Sequence, residues 1–292
     1  MIQGFSATDA CPVLHAEHVH RLVAWLCSEP WRYGLSMNLR IAGVLVVLLC
    51  GCGAFRRPVG KVKEQPYRSQ SILEADSPSL VVEIDYLEGH APSPVSVRLL
   101  GRRLALYTDK PEGIRIHVDD EIPAKRWDGK RSTMRALVEA HAEPPSGNVG
   151  YIYLMYLPGF RNYRGLSFQP RKLSKRFNHP LAFVYPGRLR GRLWVTRQRQ
   201  ESSVVVHEVG HLMGLVSHPE HYVDGHCTNS WCLMYDGLDA RSVVLHSLPT
   251  LFWGYLPTRF CRACRRDLWP DGKLPGRKKA DRAKVHIESS AP

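Results

Sequence analysis

At 292 residues, of which 44% are hydrophobic, the chain can bury a sizeable core and is excluded from the disordered class. Its 40 Lys and Arg against 27 Asp and Glu give a formal charge of +13, which favours anionic surfaces (membranes, nucleic acids, acidic glycans) without choosing among them. The eight cysteines form an N-terminal group (Cys11, Cys27, Cys50, Cys52) and a C-terminal group (Cys227, Cys232, Cys261, Cys264), and the cysteine-free stretch between them excludes a small disulfide-stapled scaffold.

Residues 1–36 carry no hydrophobic pattern that leads anywhere and read as an upstream mis-start, with Met37 as the true start. Residues 37–52 then have the parts of an export signal: the basic opening Met-Asn-Leu-Arg and the apolar run Ile41 to Leu49. That run is short of the ~20 residues of a transmembrane helix, and a buried helix is the competing reading. Leu49-Cys50-Gly51-Cys52 resembles the bacterial lipobox, which implies lipidation of Cys52 and an exported, membrane-anchored lipoprotein. Residues 53–79 mix Arg56, Arg57, Lys61 and Lys63 with prolines and serines and read as a linker.

A catalytic-size domain is expected over residues 80–267. Leu80 to Tyr86 and Gly113 to Val118 are Val- and Ile-rich runs bounded by turn residues, hence strands, while Val95 to Tyr107 fits helix or strand. Arg131 to His141 carries Met134, Leu137 and Val138 at helical spacing and stops before Pro144-Pro145. Val149 to Tyr156 reads as a buried strand, with Leu181 to Tyr185 and Leu193 to Thr196 as shorter candidates. This alternation implies an α/β fold with helices packed on a sheet. Arg161 to Arg176 holds six basic residues and is either a solvated loop or an anion-binding patch. Ser202 to Val216 is a largely buried helix ending at Gly214, and Val243 to Tyr255 a further apolar helix before Pro257.

The buried helix carries the chemistry. His207-Glu208-Val209-Gly210-His211 sets two imidazoles four residues apart, so both project from one helix face and can share one zinc ion. Glu208 between them can act as general base and then general acid on a metal-activated water. Chance produces such pentapeptides, yet burying these three side chains unpaired would cost roughly 2–7 kcal/mol per group, which a metal offsets.

With Gly214 three residues beyond His211, the motif resembles the metzincin metallopeptidases, a clan of mixed twisted sheets with an active-site helix and a C-terminal helix. Metzincins place a third histidine where this chain has Ser217, so His218, His221 and His226 compete for that role. His226-Cys227, Cys232, Leu233 and Met234 resemble the archaemetzincins within that clan, which implies His226 as the third ligand, His218 as the alternative, and Met234 as the methionine turned beneath the metal.

Cys227, Cys232 and the pair Cys261-Arg262-Ala263-Cys264 suit a four-thiolate structural zinc site, and archaemetzincins are similar here as well. Export into an oxidising compartment favours two disulfides instead. Residues 268–292 are rich in Lys, Arg, Pro and Gly and read as a basic disordered tail.

The resulting expectation is a zinc-dependent endopeptidase or aminopeptidase acting on peptides or proteins, with one catalytic zinc and Glu208 as general base. The alternative is a surface-anchored zinc-binding or scaffold protein with little peptidase activity. A nucleic-acid partner is not expected, because it leaves the helix motif unexplained.

Overall fold

A computed structural model describes residues 69–168, 172–189, 196–215, 221–223, 225–229, 231–235, 256–269, 274–275 and 284–289, all within the unit Arg57–Pro292. The export-signal and lipidation readings at 37–52, the helix expected at Val243 to Tyr255 and the candidate ligand His218 lie outside these residues.

The elements in chain order are α1 (Gln70–Leu73), β1 (Ser79–Leu87), α2 (Pro94–Tyr107), β2 (Gly113–Ile122), α3 (Arg131–His141), β3 (Val149–Tyr156), β4 (Gly165–Phe168), β5 (Leu181–Val184), α4 (Arg197–Met213), β6 (Tyr222–Val223), β7 (His226–Cys227), α5 (Arg262–Leu268) and β8 (Val285–Ser289). Six strands form one sheet in the order β4-β5-β3-β1-β2-β8. Every pairing in it is parallel except β4 with β5. The fold is therefore the mixed α/β arrangement expected.

β1 lies in the middle and is buried on both faces, which explains its near-continuous apolar sequence. Leu80, Val82, Ile84 and Tyr86 face one core with residues of α2, α4 and α5, while Val81 and Leu87 face a second core closed by Met134, Leu137 and Val138 of α3. Val95 to Tyr107, open to either reading in sequence, is helical because Ser93 caps it, its side chain accepting from the Ser96 amide, and Pro94 preorganises the first turn.

Three segments differ from the sequence reading, and in each a packing partner distant in sequence is responsible. Ile72 and Leu73, in the stretch expected to be linker, are fully buried in the first core. The supposed basic loop contains β4, an edge strand paired with β5. Within the tail expected to be disordered, Val285–Ser289 pairs with β2 from Ile114 to Val118. This last contact leaves no room on α2 for a side chain at Gly101, whose Cβ would stand 2.7 Å from Val285 Cγ1.

Candidate metal centre

α4 begins where Thr196 caps the Arg199 amide and ends at Gly214, whose φ of 108° only glycine adopts readily. The amide of Leu215 turns back to the carbonyl of Gly210 at 3.0 Å, closing the helix. The last turns of this helix present His207, Glu208 and His211, all buried.

The two histidines are fixed through their Nδ1 atoms. His207 Nδ1 lies 2.8 Å from the carbonyl of Leu233, and His211 Nδ1 lies 3.2 Å from that of Leu215. A carbonyl only accepts, so Nδ1 carries the proton and, on a neutral ring, Nε2 is left with a lone pair. Burial, with His207 and His226 nearby, pushes His211 well below the ordinary imidazole range and so keeps it neutral. The two Nε2 atoms nevertheless face each other at 3.1 Å. Two lone pairs at that distance repel unless a cation lies between them, and ligands on a tetrahedral zinc are ~3.3 Å apart. The donor set therefore fits a metal ion.

His226 of β7 closes the group, its ring centroid 5.2 Å from that of His207 and 5.1 Å from that of His211. His207, His211 and His226 offer nitrogens within 4.8 Å of one another. His221 is directed elsewhere: its Nε2 meets Asp267 at 2.8 Å and its Nδ1 lies 3.8 Å from Cys227 Sγ. Met234 is fully buried beneath α4, where a Cβ on Gly210 would stand 2.5 Å from its sulfur.

Glu208 has no ion-pair partner of its own among the described residues. Burial pushes its carboxyl from the ordinary 4.5 up to about 8, opposed by a hydrogen bond from Ser167. Ser167 lies in β4, and so does Gly165, where a Cβ would stand 2.4 Å from Glu208 Oε1. Tyr185 faces the same carboxylate; its buried hydroxyl has no hydrogen-bond partner among the described residues, and burial followed by Glu208 raises its pKa. None of these three was read from the sequence as a site residue. The alternation Gly165-Leu166-Ser167-Phe168 was the available signal for β4.

The four C-terminal cysteines are free thiols gathered in one cluster. Sγ–Sγ separations are 3.8 Å for Cys227 and Cys261, 3.4 Å for Cys232 and Cys264, and 3.6 Å for Cys261 and Cys264. Sulfurs on a tetrahedral zinc at ~2.3 Å lie ~3.8 Å apart, so this set fits a thiolate metal site. The two centres are tied together covalently, since His226 precedes Cys227, and Cys232 precedes the Leu233 whose carbonyl orients His207.

A third group, Asp85, Asp120 and His141, lies on the other face of the sheet. Its buried carboxylate is already served by protein donors: Asp85 accepts from the Tyr153 hydroxyl and from the Asp120 amide.

No protein-family model matches the sequence, and no curated protein does. Among solved structures, the chain is similar to the archaemetzincin of Methanopyrus kandleri at 18% identity and a TM-score of 0.43, over 66% of this chain and 95% of that one. It is also similar to the archaemetzincin of Archaeoglobus fulgidus complexed with malonate, at 18% identity and a TM-score of 0.36, over 63% of this chain and 98% of that one.

Proposed function

We propose that this protein is a zinc-dependent peptidase in which His207, His211 and His226 hold the ion and Glu208 moves the proton. The observation that carries the reading is the pair of buried, backbone-fixed imidazoles with facing Nε2 atoms 3.1 Å apart, next to a buried carboxylate. A bound zinc ion would supply Lewis-acid polarisation of the scissile carbonyl and acidify a water molecule. With the ion bound, its charge would offset the burial that keeps the Glu208 carboxyl protonated, and Glu208 would serve as the base towards that water and then as the acid towards the leaving amine; Ser167 donates to the carboxylate and Gly165 leaves room for it. Three nitrogens with a carboxylate beside them match the open donor set of a catalytic site rather than the closed set of a structural one.

Among the described residues β4 pairs on one side only, with β5, at the end of the sheet, so an extended peptide can add along its other side and pass the histidines. That placement favours cleavage within a chain, hence an endopeptidase. The cysteine quartet binds a second zinc ion that organises the loop carrying His226. Export and lipidation at Cys52 belong to the same proposal and rest on the sequence of residues 37–52 alone.

The test combines metal content with activity. The chain should carry two zinc ions and cleave unstructured protein substrates, and Glu208→Gln should keep both ions and lose about 10²–10⁴-fold in kcat. Full zinc with no hydrolysis in the wild type would favour the surface-anchored zinc-binding or scaffold reading. No zinc, with none taken up on addition, would remove both.

A further inference from the structure

His221 stands apart from the histidine centre and between two elements of the cysteine cluster. It precedes β6, and its side chain is only 13% exposed; its partner Asp267, on α5, is 16% exposed. The ring spans the gap between them, Nε2 at 2.8 Å from the Asp267 carboxylate and Nδ1 at 3.8 Å from Cys227 Sγ. α5 also supplies Cys264, so the carboxylate and one of the sulfurs share a helix while the sulfur that His221 reaches belongs to β7.

Further donors point at three of the four sulfurs, Cys227 among them. The Tyr222 hydroxyl points at Cys264 Sγ at 3.2 Å, the Cys261 amide at Cys232 Sγ at 3.2 Å, and the Asn229 amide at Cys227 Sγ at 3.4 Å. Four thiolates around a divalent ion leave a net negative charge that such donors disperse. A half-buried carboxylate beside that charge would be repelled. Asp267 is instead separated from Cys227 by the ring, which in its doubly protonated form can donate through Nε2 to one anion and through Nδ1 to the other.

We propose that His221 and Asp267 are a positioning pair for the cysteine metal site: Asp267 orients the ring, and the ring holds the Cys227 thiolate. The inference rests on the reading of the quartet as a metal site. Its consequence extends to the histidine centre, because Cys227 follows His226 and a fixed Cys227 fixes the backbone that carries the third nitrogen.

The experiment loads the full chain with Co²⁺ and follows sulfur-to-cobalt charge-transfer absorption while a chelator competes. Asp267→Asn and His221→Gln should each weaken the thiolate-bound cobalt by about 10–100-fold, with the four-sulfur band shape preserved, and Asp267→Glu should restore most of the loss. Unchanged chelator midpoints in both variants would overturn the pair while leaving the quartet standing. Absence of charge-transfer bands in the wild type would overturn the metal reading of the quartet itself. If His221→Gln strips the histidine-centre ion and spares the thiolate bands, His221 belongs to the histidine centre and the pair is overturned.

Discussion

Two histidines of the first centre stand one turn apart on a single helix, whereas the four cysteines of the second come from segments as far apart in the chain as Cys227 and Cys264. The histidine pair needs only local helical geometry, with one further ligand brought in by β7. The cysteine cluster exists only once α5 has docked, which it does through Phe260 and Trp269: the Phe260 amide donates to the Tyr107 hydroxyl at 3.3 Å, and Trp269 Nε1 donates to the Tyr107 carbonyl at 2.8 Å. Three nitrogens and a poised carboxylate suit chemistry, while four sulfurs enclosed by amide and hydroxyl donors suit architecture. The short strand that carries His226 thus also carries a sulfur of the second cluster one residue away.

The largest effect expected from breaking this contrast is in Cys264→Ser. Loss of the fourth sulfur should cost on the order of 5 kcal/mol of zinc-dependent stability, read as a shift of the urea midpoint with and without zinc. It should also weaken the histidine-centre ion, because Cys227 and Cys232 flank His226 and Leu233. Unaltered affinity there would show the two centres to be independent.

A smaller effect should come from Gly165→Ala, whose added Cβ would meet Glu208 Oε1 at 2.4 Å and Cγ at 2.6 Å. The carboxylate must swing away, so kcat should fall by roughly 10²-fold with zinc content unchanged. Equal loss of zinc would mean that β4 supports the ligands and not the base alone.

The smallest effect concerns a buried acid that neither centre uses. Glu83 accepts from the Tyr151 hydroxyl at 2.5 Å and from the Glu143 amide, yet burial pushes its carboxyl from 4.5 up to about 7. A carboxyl whose folded pKa is raised stabilises the fold below its unfolded pKa, and that stability is lost as pH climbs through the folded value. Between pH 4.5 and 7 the wild type should lose about 2 kcal/mol that Glu83→Gln does not lose, measured by denaturant midpoints across that range.

Much of the frame was legible because its signals are local. Arg131–His141 and Val149–Tyr156 have in the structure the bounds that periodicity and the double proline suggest. β4 and β8 escaped because they are short strands at the two ends of the sheet, supported by partners elsewhere in the chain. Glu83 and Asp85 read as ordinary strand residues, since the tyrosines that receive them belong to β3 and meet them only through its register with β1.

By itself the sequence determined the pairing of His207 with His211 and the place of Glu208 between them, because four residues on a helix return to the same face whatever surrounds it. Among the later histidines the sequence favoured His226 by resemblance, and the packed chain is what brings its ring beside the pair. His226 and His221 are equally good ligands as side chains, and only the turn between β6 and β7 and the docking of α5 send one to the nitrogen cluster and the other to Asp267 and Cys227. Ligand type is a property of a residue; ligand position is a property of the packed chain.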